Sequence, residues 1–249
     1  FQIRKETSMM TQDEKILRNL ARRYAVAASD PRNQENRKLH TAVNDLAMIR
    51  PVVLIDEIPF SELNFDGSLT LQCQDSDFRA AEDFLRKKLF QWQYFPADMI
   101  LPPYFPVQKV MHETGCGLTV EETTLATDVA NNIISHEYED LLEDESALSL
   151  FHLPEVTYDE IETMRLYTKI GTAIGDILPV RLTGHDSYIP IWDDIARFRG
   201  VTPLLMDLIE RPEYTHQIME HMTNYYISLT EQMEQLGLFE AEPLTIHCT

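Results

Sequence analysis

The chain has 249 residues, 44% of them hydrophobic, a size and composition that suit one large core or two small ones and exclude a disordered or fibrous protein. Its 41 acidic against 21 basic residues give a formal charge of −20, which repels nucleic-acid phosphates and anionic membrane surfaces, so neither partner is expected. Three cysteines, Cys73, Cys116 and Cys248, are too few and odd in number for a disulfide framework, no apolar run approaches the ~18 residues of a membrane span, and no signal-peptide pattern is read, which together predict a reducing cytoplasm.

In chain order, residues 1–10 read as a tag or disordered leader, ahead of a Thr11-x-x-Glu14 capping box. Helical periodicity follows over 12–29 and 31–46, with Leu17, Leu20, Ala21 and Tyr24 on one stripe and Asp30-Pro31 as stop and restart. Pro51 to Ile55 (PVVLI) predicts a buried strand ending at Asp56 and Glu57. Asp75 to Tyr94 predicts a long amphipathic helix with Phe78, Ala81, Phe84, Leu85 and Leu89 inward, and Asp98 to Leu101 a second strand stopped by Pro102-Pro103. Alternation between Val107 and Thr127, with Gly115 and Gly117 at a turn, predicts an inserted hairpin. His136 to Leu150 reads as an acidic, solvated helix. Thr157-x-x-Glu160 opens a helix that closes near Gly171 or Gly175 and leads into a strand at Leu178 to Leu182. Pro212 at the first helical position and Gly237 past the last bracket the longest helix, before a buried strand at Pro243 to Cys248.

Four strands interleaved with helices, without a G-x-G-x-x-G or P-loop, predict an α/β chain of the (β/α)₈ barrel type rather than a nucleotide-binding sheet. In such a barrel the residues just after each strand meet at one mouth. That selects Asp56 and Glu57, Tyr104, Arg181 with His185 and Asp186, and His247 with Cys248. Adjacent strand residues face opposite ways, so one of Asp56 and Glu57 points into the mouth as a general acid or substrate-orienting group while the other caps a helix or pairs outside. Asp186 beside His185 can fix the imidazole tautomer, or both can serve the backbone alone. Tyr188 and Trp192 offer flat apolar walls for a planar or methylated ligand, although core packing is the commoner use of both. His112, Glu113 and Cys116 (HETGC) read as polar groups of a turn, His216 and His221 as surface residues, and Cys73 as inert.

The passage Asp176 to Glu213 (DILPVRLTGHDSYIPIWDDIARFRGVTPLLMDLIERPE), together with the Arg50-Pro51 strand, resembles the uroporphyrinogen decarboxylase superfamily, and within it the branch of corrinoid-dependent methyltransferases. The similarity runs from about Ile16 to Cys248. It implies a uroporphyrinogen decarboxylase-like barrel of which the first half or so is present, with 11–249 as one domain truncated at its C-terminal end and two helices before the barrel. It also implies a small methylated substrate, a corrinoid (cobalamin) carried by a partner protein, and a homodimer. The roles that go with it are catalytic for His185, Asp56, Glu57 and His247, and substrate-binding for Tyr104, Arg181, Asp186, Tyr188 and Trp192.

Zinc-using members of that branch show His-x-Cys at a strand end, whose spacing puts both ligands on one face. Here the corresponding candidate zinc ligands, His247 and Cys248, are adjacent, and a regular strand sends them to opposite faces unless a bulge intervenes, so the resemblance offers a zinc site that the spacing does not support. True decarboxylases carry an arginine-rich segment for a polyanionic tetrapyrrole. This chain has Ile49-Arg50-Pro51-Val52 and then acidic Asp56 and Glu57, a poor bed for such a substrate. A tetrapyrrole carboxy-lyase is the alternative, and a corrinoid- or small-molecule-binding module without turnover the second.

Overall fold

The computed structural model describes residues 10–125, 134–186 and 188–242. They form a mixed α/β structure in which helix outweighs strand, and they divide into two compact units. The first comprises residues 10–107 and 161–182, the second 108–160 and 183–242.

In the first unit α1 (Gln12–Ala28) starts on the expected capping box: the Glu14 amide donates to the Thr11 hydroxyl oxygen and the Thr11 amide to the Glu14 carboxylate. Its stripe of Leu17, Leu20, Ala21 and Tyr24 is buried against α3 (Ser76–Tyr94), whose Asp75 cap accepts from the Asp77 and Phe78 amides. The short α2 (Arg32–Asn44) buries only Asn33, which donates to the Ala27 carbonyl and accepts the Leu101 amide at 2.7 Å. The core is completed by Met99, Leu101, Phe105, Val107 and the inner face of α4 (Glu160–Ile174), namely Ile170, Ala173 and Ile174. Glu82 is fully buried within it and receives the Gln72 and Cys73 amides and Arg86 Nε, so it ties the chain entering α3 to the helix itself.

Strand β1 (Phe105–Gln108) pairs with β6 (Val180–Thr183). The Phe105 amide donates to the Pro179 carbonyl, and four residues further along both chains Lys109 donates to Thr183, a parallel arrangement. The predicted strand at Leu178 to Leu182 is thus present, two residues later.

Two other expected strands are not. Pro51 to Ile55 and Asp98 to Leu101 have irregular backbone and meet at one point only, where Asp98 donates its amide to the Val53 carbonyl. The Val53 amide turns to the Asp98 carboxylate at 2.9 Å, which replaces the next backbone bond of a ladder, and Pro51 has no donor to give.

The second unit packs α5 (Ile191–Arg199), α6 (Val201–Glu210) and α7 (Pro212–Gln235) around Ile195, Phe198, Leu204, Tyr214, Ile218 and Met222. Pro212 opens α7 and Gly237, at φ 62°, follows its C-cap Leu236, as the bracketing residues predict. The hairpin expected between Val107 and Thr127 does not close on itself, because its two strands each pair with a strand beyond that stretch. β2 (Met111–Glu113) pairs antiparallel with β5 (Val156–Tyr158), and β3 (Glu122–Leu125) with β4 (Ser135–Tyr138). The acidic stretch His136 to Leu150 is accordingly not one helix: it begins in β4 and ends in a 3₁₀ turn over Glu145–Leu150, capped by Asp144. The expected strand at Pro243 to Cys248 lies outside the described residues.

Candidate active site

The C-terminal end of β6 runs straight into Gly184 and His185, and this is the most constrained of the predicted site segments. The Gly184 amide donates to the Glu240 carboxylate, the His185 amide to the Leu238 carbonyl, and the Glu240 amide back to the His185 carbonyl. A Cβ on Gly184 would lie 2.2 Å from the Phe239 carbonyl carbon, so the glycine is required by close approach of two backbones. The loop is therefore built as a rigid support rather than a free excursion.

That support fixes a side chain. His185 Nε2 lies 2.7 Å from the Lys109 carbonyl, in the segment leaving β1, and a carbonyl only accepts. The proton of the neutral ring is thus on Nε2 and the lone pair on Nδ1, the arrangement by which a backbone carbonyl sets a histidine's tautomer for proton transfer or ligation. The orienting group is the Lys109 carbonyl. Asp186 is exposed and accepts the Tyr188 amide at 3.3 Å in a turn of its own, so of the two readings of this pair the structure matches the one in which both serve the backbone. Tyr188 and Trp192 follow at 52% and 48% exposure, so they are solvent-facing aromatic surfaces and not core.

Asp56, Glu57, Tyr104 and Arg181 belong to the first unit. There the Arg181 guanidinium sits over the Tyr104 ring at 5.0 Å from its centroid, which brings those two together as a cation–π pair. Asp56 and Glu57 are both exposed, at the end of an irregular segment instead of a strand, and Asp56 lines a cavity against α3. His247 and Cys248 lie outside the described residues, as does Ser187. Among the described residues no group of three or more His, Cys, Asp or Glu is placed to hold a metal ion.

Several organising residues carry no local signal. Arg199, buried, donates to Asp207 at 2.8 Å and to Asp140, while Arg211 Nε donates to Asp207 at 2.8 Å. Burial pushes the Asp207 carboxyl up, but these two arginines outweigh it and hold the group below its usual range. The RFRGVTPLLMDLIERPE segment thus encodes a buried ion cluster that locks α5, α6 and α7 together. The HETGC residues are likewise structural: Glu113 accepts the Gly115 amide and the Tyr225 hydroxyl, and burial raises the Cys116 thiol. Cys73 is buried, and burial followed by the Glu82 carboxylate pushes its thiol up to about 12, which suits an inert role. His221 is not simply a surface residue: its ring stacks on Phe151 at 5.0 Å beside a cleft of about 470 Å³ that also takes in His152 and Glu231.

No family model, no curated protein and no solved structure matches this chain. The site must therefore be read from its own geometry.

Proposed function

We propose that the chain is a cytoplasmic corrinoid-dependent methyltransferase, built on a barrel of the uroporphyrinogen decarboxylase type, that moves a methyl group between a small methylated substrate and a corrinoid held by a partner protein. The observation that carries this reading is His185, its Nε2 proton held by the Lys109 carbonyl at the exit of a parallel strand pair, beside an exposed aromatic rim of Tyr188 and Trp192. Strand exits of this kind are where α/β folds gather their chemistry.

A corrinoid delivered by another protein has to be met from outside, on an apolar surface. Tyr188, Ile189 and Trp192, all more than two-fifths exposed, offer such a surface within a few residues of His185, so the residues present fit the group. When bound, it supplies the cobalt chemistry of methyl transfer. What the chain supplies is orientation and a proton. A His185 ring charged at Nδ1 gives that proton to the heteroatom that loses its methyl, and the neutral ring takes one from the heteroatom that gains it.

The test is an anaerobic absorbance titration of the protein with reduced corrinoid, its carrier and a panel of methylated donors. One donor class is expected to discharge the reduced-cobalt absorbance, and His185→Ala to slow that discharge about 10²–10⁴-fold with the circular dichroism spectrum unchanged. Discharge at the same rate in His185→Ala removes the histidine from the mechanism. Turnover of a tetrapyrrole carboxylate instead would make the chain a carboxy-lyase, and corrinoid binding with no turnover would make it a binding module.

A further inference from the structure

A second candidate site lies wholly within the first unit. A cavity of about 310 Å³, at the lower end of the range that holds small molecules, opens between α3 and the irregular segment around Asp56. Phe60, Phe84 and Ala80 give it an apolar lining, and Lys87, Lys88, Asp56 and Asp83 supply its charge.

Its two neighbouring lysines are in opposite situations. Lys87 is half-exposed and committed: its ammonium is 2.7 Å from Asp83 and 5.6 Å from the centre of the Phe60 ring. Lys88 makes, among the described residues, a long 3.5 Å contact to the Gln91 side-chain oxygen, and Gln91 itself is anchored by donating to the Ile55 carbonyl at 2.7 Å. Burial lowers the Lys88 amine from its usual value, and the charge of Asp56 offsets this only in part. A weakly hydrogen-bonded, desolvated lysine in the wall of a partly apolar cavity is an arrangement that makes an amine nucleophilic.

We propose that Lys88 is the amine of a Schiff-base site that takes small, uncharged aldehydes with an apolar body. The flanking carboxylates of Asp56 and Asp83 disfavour an anionic ligand, and Phe60 and Phe84 favour an aromatic or branched one. The neutral amine adds through its lone pair to the carbonyl carbon, and its proton passes to the carbonyl oxygen to give a carbinolamine. Loss of that oxygen as water, with a proton relayed by Asp56, leaves the C=N bond. Aldehyde plus amine thus gives imine plus water, with no oxidant or reductant required.

The test uses benzaldehyde as probe, with cyanoborohydride to trap the imine, and peptide mass spectrometry to follow each lysine of the full chain over time. Lys88 should be benzylated first, ahead of the more exposed Lys87. The fast-labelled site should be lost in Lys88→Arg and retained in Lys87→Arg. Ala80→Leu keeps the amine but narrows the cavity, so it should slow labelling at Lys88 without changing labelling elsewhere. Labelling of Lys88 no faster than that of Lys87, or an undiminished fast phase in either Lys88→Arg or Ala80→Leu, overturns the proposal.

Discussion

The passages beginning at Arg50 and at Arg199 each set an arginine against an aspartate, yet they do different things. In the first unit Arg50 grips Asp98 with two bonds of 2.6 Å, but the arginine side chain is half in water. In the second unit Arg199 and Asp207 are both nearly withdrawn from solvent, and Arg211 and Asp140 complete the cluster. This pair, half-exposed on its arginine side and buried on its aspartate side, pins one irregular segment to another. The buried cluster fixes three helices, because neither Arg199 nor Asp207 can lose its partner without leaving a charge in the core.

The sharpest way to break that comparison is Asp207→Ala. Two arginines then lose their shared carboxylate inside the protein, and we expect a loss of about 3–5 kcal/mol, read as the shift of the urea midpoint. If Asp207→Ala costs no more than Asp98→Ala, the distinction drawn here between the two anchors is wrong.

The second largest effect concerns the ends of the two passages that carry candidate site residues. Gly184→Ala forces a methyl group against the Phe239 and Glu240 backbones, 2.2 and 2.3 Å away, so the loop must shift. About 1–3 kcal/mol is expected, with loss of the His185 ring's restricted environment by nuclear magnetic resonance. Glu57→Ala, on the exposed end of the other passage, should stay within about 0.5 kcal/mol.

These contrasts also mark how much was legible in the chain. The main helices were, because periodicity and caps such as Thr11, Asp75 and Pro212 are local signals. The Pro51 to Ile55 run carries strand-type side chains, yet its partner segment answers with the Asp98 carboxylate, a choice no local pattern encodes. Likewise β2 finds β5 across more than forty residues, so in the sequence one reads as part of a local hairpin and the other as a helix start. At the candidate site the sequence singled out His185 and left two readings of the pair open, orientation by neighbouring Asp186 or backbone contacts for both, and the structure shows backbone contacts for both. The carbonyl that sets the ring belongs to Lys109, 76 residues away, and side-chain type gives no clue to it.

Acid titration separates the anchors more gently. The Arg50 guanidinium, then the Val53 amide, hold the Asp98 carboxyl down at about 2, against an ordinary value of 3.8, and Arg165 and Lys169 do the same for Asp77. A carboxyl with a lowered folded-state pKa stabilises above its unfolded value and loses that contribution as pH falls through the folded one. Stability should therefore decline between about pH 4 and pH 2, and Asp98→Asn should flatten part of that decline. An identical slope in the variant would show that Asp98 ionises alike in folded and unfolded chains.

The smallest expected effect comes from two helix ends, one in each unit. Past the C-cap Leu236, α7 turns through Gly237 at φ 62°, a left-handed conformation that glycine adopts without penalty. Past the C-cap Asp45, α2 makes the same turn through Leu46 at φ 56°, where a Cβ crowds the following carbonyl and the 95% exposed side chain recovers almost nothing by packing. Leu46→Gly removes that crowding at the cost of a more flexible unfolded chain, so the net gain should be no more than about 1 kcal/mol. Gly237→Ala should lose about as much. Opposite signs for the two substitutions in thermal unfolding would show that the left-handed turn itself, and not the residue it replaces, sets the difference. A loss in both would mean that Leu46 makes contacts its exposure does not suggest.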